Sequence, residues 1–308
     1  MSVRRPWPEG ARVALVAPAG ALPAGMADIA AERLRGLGLE VRAGRHLEAR
    51  DGPWAGSVAE RLEDLAWAMT DPEIDLVWLA RGGEGTAVVA DALPWRSIAR
   101  RPRPVVGMSD ATFLHGALAR RGIASVHGAM PGVHSGWDDF VARAALGALT
   151  AAAPWPLPLP AAWPVPRALV PGRVEAPVVG GNLTCLAAAV GTPLMPPTRG
   201  RILLLEDVSE AAYRVDRCLT QLGQAGALRD LAAVILGTFT ACGESGGLTV
   251  EEVLERHLRP LGVPVLAGLP LGHGHVQSAL PLGVACRLDA GAGTLTVVAP
   301  PLAGAAVR

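Results

Sequence analysis

Short runs of continuous apolar residues alternate with segments of helical periodicity from residue 12 onward, and this alternation restricts the fold more than any other feature of the chain. In the first half the apolar runs are RVALVAP, LEVRAG, IDLVWLA, PVVGM and ASVHG. The segments between them place apolar residues at the three- and four-residue spacing of a helix. Apolar strands separated by helices are typical of a parallel sheet that is covered on both faces. The pattern predicts an α/β fold.

A proline-rich segment divides the chain. Residues 150–172 contain seven prolines and no acidic residue, and such a composition can neither continue a helix nor lie in a central strand. Afterwards the alternation resumes with APVVGG, RILLLED, AAVILGTF and VPVLAG, and it ends in the hairpin ACRLDAGAGTLTVVA. We therefore predict an N-terminal domain at 1–149, a linker at 150–172, and a C-terminal α/β domain with a β-rich tail at 173–308. A length of 308 residues suits two domains of roughly 150 each.

The charged residues exclude several kinds of chemistry. All 28 basic residues are arginine, so Schiff-base chemistry, pyridoxal phosphate, Walker-type phosphate binding and Ser-Lys hydrolysis are excluded. The 28 acidic residues balance them without any run of like charge, which leaves no electrostatic footprint for nucleic acid or an anionic membrane. The expected partner is a small substrate.

Cysteines and hydropathy indicate an ordinary soluble chain. The four cysteines, Cys185, Cys218, Cys242 and Cys286, form no CxxC pair and are expected to be buried free thiols. No stretch has the 18 consecutive apolar residues of a transmembrane helix. The apolar segment near the N-terminus is too short for a signal peptide. We expect a cytoplasmic protein.

PVVGMSDATFLHG places Ser109 directly after an apolar strand and directly before a helix. This is the geometry of a nucleophile elbow, in which a sharp turn lifts the serine hydroxyl out of the sheet. The last glycine of GxSxG is replaced by Ala111. The alternative is that Ser109 or Asp110 simply caps the helix.

WLARGGEGTAVVADAL contains a second turn between a strand and a helix, in which Gly82, Gly83 and Gly85 allow the backbone to approach a ligand closely. A dinucleotide fingerprint would require glycine or alanine where Val88 stands. The loop could instead offer backbone N–H groups to a developing negative charge. The alternative is a tight turn into a helix.

Carboxylates follow the strand in RILLLEDVSE. Glu206 and Asp207 lie where the strand ends, and Glu210 lies at the start of the next helix. A carboxylate at the C-terminal end of such a strand can enter the cleft where α/β sheets bind ligands. Complementarity to the helix dipole explains Glu210 well and Glu206 poorly.

The loop LPLGHGHVQSALPLG carries His273 and His275, two positions apart. On an extended segment these side chains point to opposite sides, so joint chelation of one metal is awkward. The other histidines form no HxxxH or HExxH pattern; they are His46, His115, His127, His134 and His257. Either loop histidine could instead serve as the general base for a serine nucleophile, with a carboxylate to orient it.

Ordered landmarks along nearly the whole chain resemble the LD-carboxypeptidases, serine peptidases that remove a terminal D-amino acid from murein tetrapeptide. These landmarks are VALVAPAG, RGGEG, GMSDATFLH, HGAMPG, GGNLTCLAAAVGTP, ILLLEDVSEAAYRVDRCLTQL and LPLGHG. By resemblance the nucleophile is Ser109 of the G(Y/F)SD motif, the triad glutamate is Glu206 of LED, and the base is His273, because LGH stands where the family has FGH. The oxyanion would be held by backbone N–H groups of Asp110 and of Gly82 or Gly83.

The resemblance also implies a class I amidotransferase-like, flavodoxin-like parallel sheet in the N-terminal domain, a homodimer, and a mechanism without metal or cofactor. Three positions depart from the family pattern: Glu84 and Met108 replace common aromatic residues, and Gln277 replaces the usual asparagine. The triad is intact, and substrate preference is the property that these departures affect.

Two other functions stay open. A related branch of the family confers immunity to microcin C by cleaving a peptide-nucleotide amide. The helix in YRVDRCLTQL, with no extra insertion after it, is more similar to the branch that processes murein. The second alternative is a non-catalytic two-domain protein that binds a small ligand in the same cleft.

Overall fold

The computed structural model describes residues 10–132 and 137–299, which form a mixed α/β structure with two β-sheets. The parallel strands of the first sheet are β1 (Arg12–Val16), β2 (Glu40–Ala43), β3 (Leu76–Leu79), β4 (Val105–Gly107) and β5 (Ser125–His127). The helices of this half are α1 (Met26–Arg35), α2 (Val58–Thr70), α3 (Thr86–Asp91), α4 (Trp95–Arg100), α5 (Thr112–Ala119) and α6 (Asp139–Thr150). The predicted α/β alternation is confirmed. His134 and the N-terminal residues 1–9 lie outside the described residues.

The strand order β2-β1-β3-β4-β5 brings three loops together at one edge of the first sheet. All neighbouring strands in this order are parallel, so the ends of β3, β4 and β5 face the same side. The glycine-rich loop follows β3, Ser109 follows β4, and His127 ends β5. Ligands of open α/β sheets bind outside such carboxyl ends. The class I amidotransferase-like description of this half stays a prediction.

Up to residue 299, where the described part ends, the second half contributes nine strands and three α-helices. The strands are β6 (Trp155–Pro156), β7 (Arg167–Val170), β8 (Arg173–Asn182), β9 (Ile202–Val208), β10 (Ala233–Thr240), β11 (Val265–Ala267), β12 (Leu280–Leu282), β13 (Ala285–Asp289) and β14 (Thr294–Val297). The helices are α7 (Leu183–Ala189), α8 (Ala212–Gln224) and α9 (Val250–Leu258). Eight of these strands form the second sheet in the order β6-β14-β13-β8-β9-β10-β11-β7, with β8 to β11 parallel.

The proline-rich segment supplies the two edges of the second sheet. Its short strands β6 and β7 are the outermost strands at opposite ends of the order. Proline lacks the N–H that a central strand must donate on one of its sides, and edge strands tolerate this loss. The sequence predicts a linker at 150–172, and the structure adds that the linker pairs with the sheet that follows it.

Strand β12 lies in the sequence of the second half but joins the first sheet. It pairs with β5 in antiparallel register, Leu280 opposite His127. The halves also meet at α5, where a side chain on Gly116 would overlap the carbonyl of Leu194. These contacts hold the strand ends of the first sheet against the second sheet. Neither β12, a three-residue strand with a central proline, nor the six-residue helix α4 was predicted from the sequence.

Local sequence signals explain several boundaries. Ser57 and Glu60 form a capping box at the start of α2, and Thr249 and Glu252 form one at α9. Fully buried strands such as β3 contain only apolar residues, because helices cover both faces of the sheet. Within the described ranges, no helix has the length and apolarity required to span a bilayer.

Candidate active site

Ser109 lies in a strained turn between β4 and α5. Its φ angle is 61°, in the left-handed region that non-glycine residues rarely adopt. A short 3-10 helix, Ser109–Ala111, leads directly into α5. Strain of this kind costs on the order of 1–3 kcal/mol and is concentrated at functional sites. The turn therefore has the backbone geometry expected of a nucleophile elbow.

Asp110 does not cap the helix that it opens. Its side chain is 3% exposed and accepts a 2.7 Å hydrogen bond from the backbone N–H of Thr86, the first residue of α3. Burial raises the pKa of the Asp110 carboxyl, and the Thr86 donor offsets this only in part. The bond ties the residue after Ser109 to the end of the glycine-rich loop, so the two turns keep a fixed relative position.

The glycine-rich loop contacts Ser109 directly. A Cβ placed on Gly82 would lie 2.9 Å from Ser109 Cβ and 3.0 Å from its Oγ, so a side chain at this position would displace the serine. In the described part of the chain, the N–H groups of Gly82 and Gly83 donate to no protein acceptor. Unpaired N–H groups beside a nucleophile are what an oxyanion hole requires.

A buried arginine holds this loop in place. Arg61 is 4% exposed, and its guanidinium donates to the carbonyls of Gly56, Pro18 and Gly85 at 3.2, 2.9 and 3.1 Å. Five donors on a rigid planar group can satisfy several carbonyls at once. Arg61 was not singled out from the sequence, since a lone arginine within a helical pattern has no local signature.

Glu206 and His273 form a buried hydrogen-bonded pair. Glu206 lies in β9 with no exposed surface, and its Oε2 accepts a 2.8 Å hydrogen bond from His273 Nδ1. Because this bond places the proton on Nδ1, the neutral ring presents Nε2 as a base. Gly272 lies against the carboxylate, where an added Cβ would be 2.9 Å from Glu206 Cδ. Glycine at 272 thus lets the histidine loop approach β9.

The two partners shift each other's protonation. Burial alone would raise the pKa of Glu206, but the imidazoles of His127 and His273 outweigh it and leave the pKa at about 2. Burial alone would lower the pKa of His273, but the hydrogen bond to Glu206 and the charges of Glu206 and Asp207 raise it above its usual 6.5. The pair is therefore an ionised carboxylate beside a strengthened base.

Ser109 and the Glu206–His273 pair are connected through neighbouring elements and not by a direct hydrogen bond in the described part of the chain. Among the described residues, no hydrogen bond joins Ser109 Oγ to His273, and catalytic contacts in unliganded enzymes are often loose. The elbow is nevertheless anchored to the Glu206 strand. Thr112 Oγ1 in α5 accepts a 3.0 Å bond from the N–H of Asn182, and Asn182 is the β8 partner of Glu206.

The neighbouring carboxylates have structural roles. Asp207 accepts hydrogen bonds from Asn182 Nδ2, from the N–H and hydroxyl of Thr184, and from its own neighbour Val208, at 2.8–3.0 Å. It thereby fixes the start of α7 against β9. Glu210 lies 3.6 Å from Arg214, four residues along the chain. Glu206 is the carboxylate that faces the histidine loop.

The positions that depart from the family pattern surround the site. Glu84 is exposed in the glycine-rich loop and accepts a hydrogen bond from Trp54 Nε1. Met108 is 2% exposed and packs in the core below the elbow. Gln277 is 2% exposed and donates from Nε2 to the carbonyl of Gly274 at 3.2 Å. Gln277 thus braces the loop that carries His273.

His127 is the residue of this region that the sequence did not assign. It is 1% exposed, and its Nε2 lies 3.7 Å from Glu206 Oε1. From the sequence it was considered only as a metal ligand. The available signal was its position at the end of the apolar run ASVHG, beside the run that precedes Ser109.

Other sequence features do not converge on the site. All four cysteines are free, and Cys286 is buried whereas the other three are half-buried. Within 10–132 and 137–299, no group of three or more histidine, cysteine or acidic side chains is arranged to hold a metal ion.

Comparison with known proteins identifies the family. The family profile for the LD-carboxypeptidase N-terminal domain matches residues 13–128, and that for the LD-carboxypeptidase C-terminal domain matches residues 175–288. The chain belongs to the LD-carboxypeptidase family. Its membership makes it a peptidase, and it confirms the resemblance read from the sequence motifs.

Relatives of both branches are similar to this LD-carboxypeptidase family member. The murein tetrapeptide carboxypeptidase of Pseudomonas aeruginosa is 35% identical over 295 residues, which cover 92% of this chain and 94% of that protein. The crystal structure of the muramoyltetrapeptide carboxypeptidase from Oxalobacter formigenes is 30% identical with a TM-score of 0.81, covering 92% and 98%. The microcin C7 self-immunity protein MccF, bound to glutamyl sulfamoyl guanosine, shares the fold, with a TM-score of 0.87, 23% identity and coverage of 97% and 99%.

The shifted pKa values predict the pH dependence of activity. If neutral His273 is the base, kcat/KM rises with pH and reaches half of its maximum at a pH above 6.5, because Glu206 raises the pKa of His273. The Glu206 contribution to stability is present above pH 4.5 and is lost as the pH falls towards about 2. The His273 contribution is fully present below pH 6.5 and is lost as the pH rises through the folded pKa. A pH–rate profile with its acid limb below 6.5 would contradict this assignment.

Proposed function

We propose that the protein is a serine-type LD-carboxypeptidase that removes the terminal D-alanine from murein tetrapeptide. The observation that carries the proposal is the 2.8 Å hydrogen bond between Glu206 and His273 Nδ1, which leaves Nε2 free to act as a base. Support also comes from the strained φ of Ser109 and from the N–H groups of Gly82 and Gly83, which have no acceptor among the described residues. The sequence identity of 30–35% with murein tetrapeptide carboxypeptidases over most of the chain favours this substrate.

In the proposed reaction, Ser109 Oγ attacks the carbonyl carbon of the L-D peptide bond while its proton passes to His273 Nε2. The carbonyl oxygen becomes an oxyanion that the N–H groups of Asp110 and of Gly82 or Gly83 stabilise, by roughly 3–4 kcal/mol per donor. The intermediate collapses, the C–N bond breaks, and the imidazolium protonates the leaving amine of D-alanine. Water then hydrolyses the acyl-enzyme with His273 again as base. Glu206 stabilises the imidazolium in both halves.

The test is an incubation of the purified protein with murein tetrapeptide and, as a matched control, with the same peptide ending in L-alanine. Release of D-alanine from the first peptide alone is the expected result. Ser109→Ala is the control for contaminating peptidases. Failure to release D-alanine under conditions in which the folded protein binds the peptide would contradict the proposal and leave the non-catalytic binder.

A second candidate is an immunity-type peptidase that cleaves a peptide-nucleotide amide. Such an enzyme requires an aromatic platform for the base. Each of Trp54, Trp67, Trp78 and Trp95 donates its indole N–H within the structure. Trp54, which is half-buried, is the one whose bond reaches the glycine-rich loop, at Glu84. Incubation with an aminoacyl sulfamoyl nucleoside separates the candidates, because cleavage of this compound without release of D-alanine from the tetrapeptide favours the second.

The proposed serine mechanism predicts that chelators leave activity intact. We expect kcat/KM with the tetrapeptide to be unchanged after incubation with EDTA, since no step requires a metal ion. Dialysed enzyme without chelator is the control. A loss of activity that added Zn²⁺ restores would rule out the mechanism.

We further propose that the protein acts in the cytoplasm as a homodimer without a cofactor. Cell fractionation can test the location, and sedimentation can test the oligomeric state.

A further inference from the structure

The buried carboxylate of Glu206 is unevenly supplied with hydrogen-bond donors. Its Oε2 accepts from His273, but its Oε1 has no hydrogen-bond partner in the described part of the chain. A buried polar atom without a partner costs about 1–3 kcal/mol, and more when the group is charged. The low pKa of Glu206 keeps the carboxylate ionised, so Oε1 carries part of a full negative charge without access to water.

The polar group beside Oε1 is His127. Its Nε2 lies 3.7 Å from Oε1, an ion-pair distance that is too long for a hydrogen bond. Both ring nitrogens of His127 also lack partners among the described residues. A buried donor, His127 Nε2, and a buried acceptor, Glu206 Oε1, thus lie side by side without a bond. Their separation exceeds the length of an ordinary hydrogen bond by less than about 1 Å.

Strand pairing on both sides fixes the backbone of His127. A small rotation of its side chain is enough to bring Nε2 within hydrogen-bonding distance of Glu206 Oε1. His127 ends β5, where it pairs with Gly107 of β4 on one side and with Leu280 of β12 on the other. The N–H of the next residue, Gly128, donates to the Gly107 carbonyl at 3.1 Å. The ring is therefore delivered to Glu206 by the same strand ends that deliver Ser109.

The other titratable groups around His127 are already occupied. His115 of α5 lies with its ring centroid 6.5 Å away and bonds Ser125 and the Gly107 carbonyl. Burial lowers the pKa of His115 to about 4, so this ring is neutral at physiological pH. Asp207 of β9 is satisfied by the start of α7. Within 10–132 and 137–299, Glu206 is the acidic group that lies beside His127, and its other oxygen accepts from His273.

We propose that His127 is a positioning residue for Glu206, whose Nε2–H bonds Oε1 and holds the carboxylate so that Oε2 meets His273 Nδ1. His127 touches neither the substrate nor the serine in this role. With two donors the carboxylate has one preferred orientation, and the His273 ring is fixed with it. At metal sites, removal of the hydrogen-bonding partner that orients a ligand changes activity by about 10- to 100-fold, and we expect an effect of this order for His127.

Removal of the His127 ring is expected to raise the pH at which His273 titrates. Without the hydrogen bond from His127, the negative charge on Glu206 is less stabilised. The carboxylate then interacts more strongly with the positive charge of a protonated His273. His273 therefore holds its proton more strongly, and its titration midpoint moves to higher pH by about half a unit or more, since one unit corresponds to about 1.4 kcal/mol. The inference rests on the proposed function only where activity is the readout.

The first experiment measures the wild-type protein labelled with ¹⁵N-histidine. Long-range ¹H–¹⁵N correlation spectra report the tautomer of each ring, with signals assigned from single histidine variants. We expect His127 to carry a proton on Nε2 between pH 6 and 8. A neutral ring with its proton on Nδ1 would overturn the proposal, because it presents no donor to Oε1.

The second experiment compares His127→Gln with His127→Leu, because the amide of glutamine can keep an N–H near the Nε2 position whereas leucine cannot. For His127→Leu we expect kcat on the tetrapeptide to fall about tenfold or more with KM little changed, and the His273 titration to move to higher pH. For His127→Gln both quantities stay close to wild type. His46→Leu, at a half-buried histidine near Glu60 and Glu63, controls for the loss of one imidazole.

Thermal melts establish that the variants are folded. A wild-type His273 titration in folded His127→Leu, or equal impairment of folded His127→Gln and His127→Leu, would overturn the proposal. If the protein hydrolyses no peptide at all, the NMR titrations still decide the role of His127, and only the proposed function fails. If His127→Leu does not fold, the tautomer in the wild-type protein decides.

Discussion

Ser109→Ala, Glu206→Ala and His273→Ala are each expected to lower kcat/KM on the tetrapeptide by about 10⁴-fold or more, whereas His275→Ala is expected to leave it within about threefold. The three side chains act as one unit in the proposed mechanism. Serine without a base is a poor nucleophile, and His273 without Glu206 loses both its tautomer and the charge that raises its pKa. His275 has no such partner among the described side chains.

The decisive measurement is steady-state hydrolysis at saturating and at low substrate, so that kcat and KM are separated. The double variant Ser109→Ala/His273→Ala should be no slower than either single variant, because residues that act as a unit are not additive. Glu206→Gln, which keeps the volume of the side chain, guards against misfolding caused by a cavity at Glu206, which has no exposed surface in β9. An inactive His275→Ala together with an active His273→Ala would show that the base is assigned to the wrong histidine.

The fold class followed from the sequence because its signals are local. Apolar runs mark the strands, and segments of helical periodicity mark the helices between them. The strand β12 did not follow, because LPL is short, contains a proline, and gains its place only from pairing with β5. No local rule says which sheet a three-residue edge strand will join.

Part of the candidate site could be predicted from the sequence for the same reason. Ser109 and Glu206 each stand at a recognisable position relative to their own strand, and the resemblance to family motifs chose His273 over His275. The alternative that Asp110 caps its own helix is not found, because its side chain accepts a hydrogen bond from Thr86. Its backbone N–H as an oxyanion donor stays a prediction. The contact between His127 and Glu206 joins residues 79 positions apart, and only the arrangement of strands reveals it.

Gly272→Ala is expected to lower kcat by about 100-fold or more without removing any group of the proposed triad. The φ of Gly272 is 112°, which L-residues rarely adopt, and the added Cβ would lie 2.9 Å from both Cβ and Cδ of Glu206. Glu206 has little room to retreat, because Gly237 also packs against it, and a Cβ added there would lie 3.0 Å from Glu206 Cβ. The histidine loop must therefore move, and the 2.8 Å bond between Glu206 and His273 lengthens.

Gly274→Ala is the matched control two residues away. Its added Cβ would have its nearest contacts at 3.4 Å, including Thr238 Cγ2, which is an ordinary packing distance. We expect Gly274→Ala to retain activity within about threefold, since the added methyl meets only ordinary packing distances and the backbone of Gly274 has no positive φ. The measurement is kcat together with the NMR titration of His273, whose midpoint should move towards its usual value in Gly272→Ala because Glu206 no longer stabilises the imidazolium as strongly. Wild-type kcat in a folded Gly272→Ala protein would mean that hydrolysis does not depend on the Glu206–His273 bond.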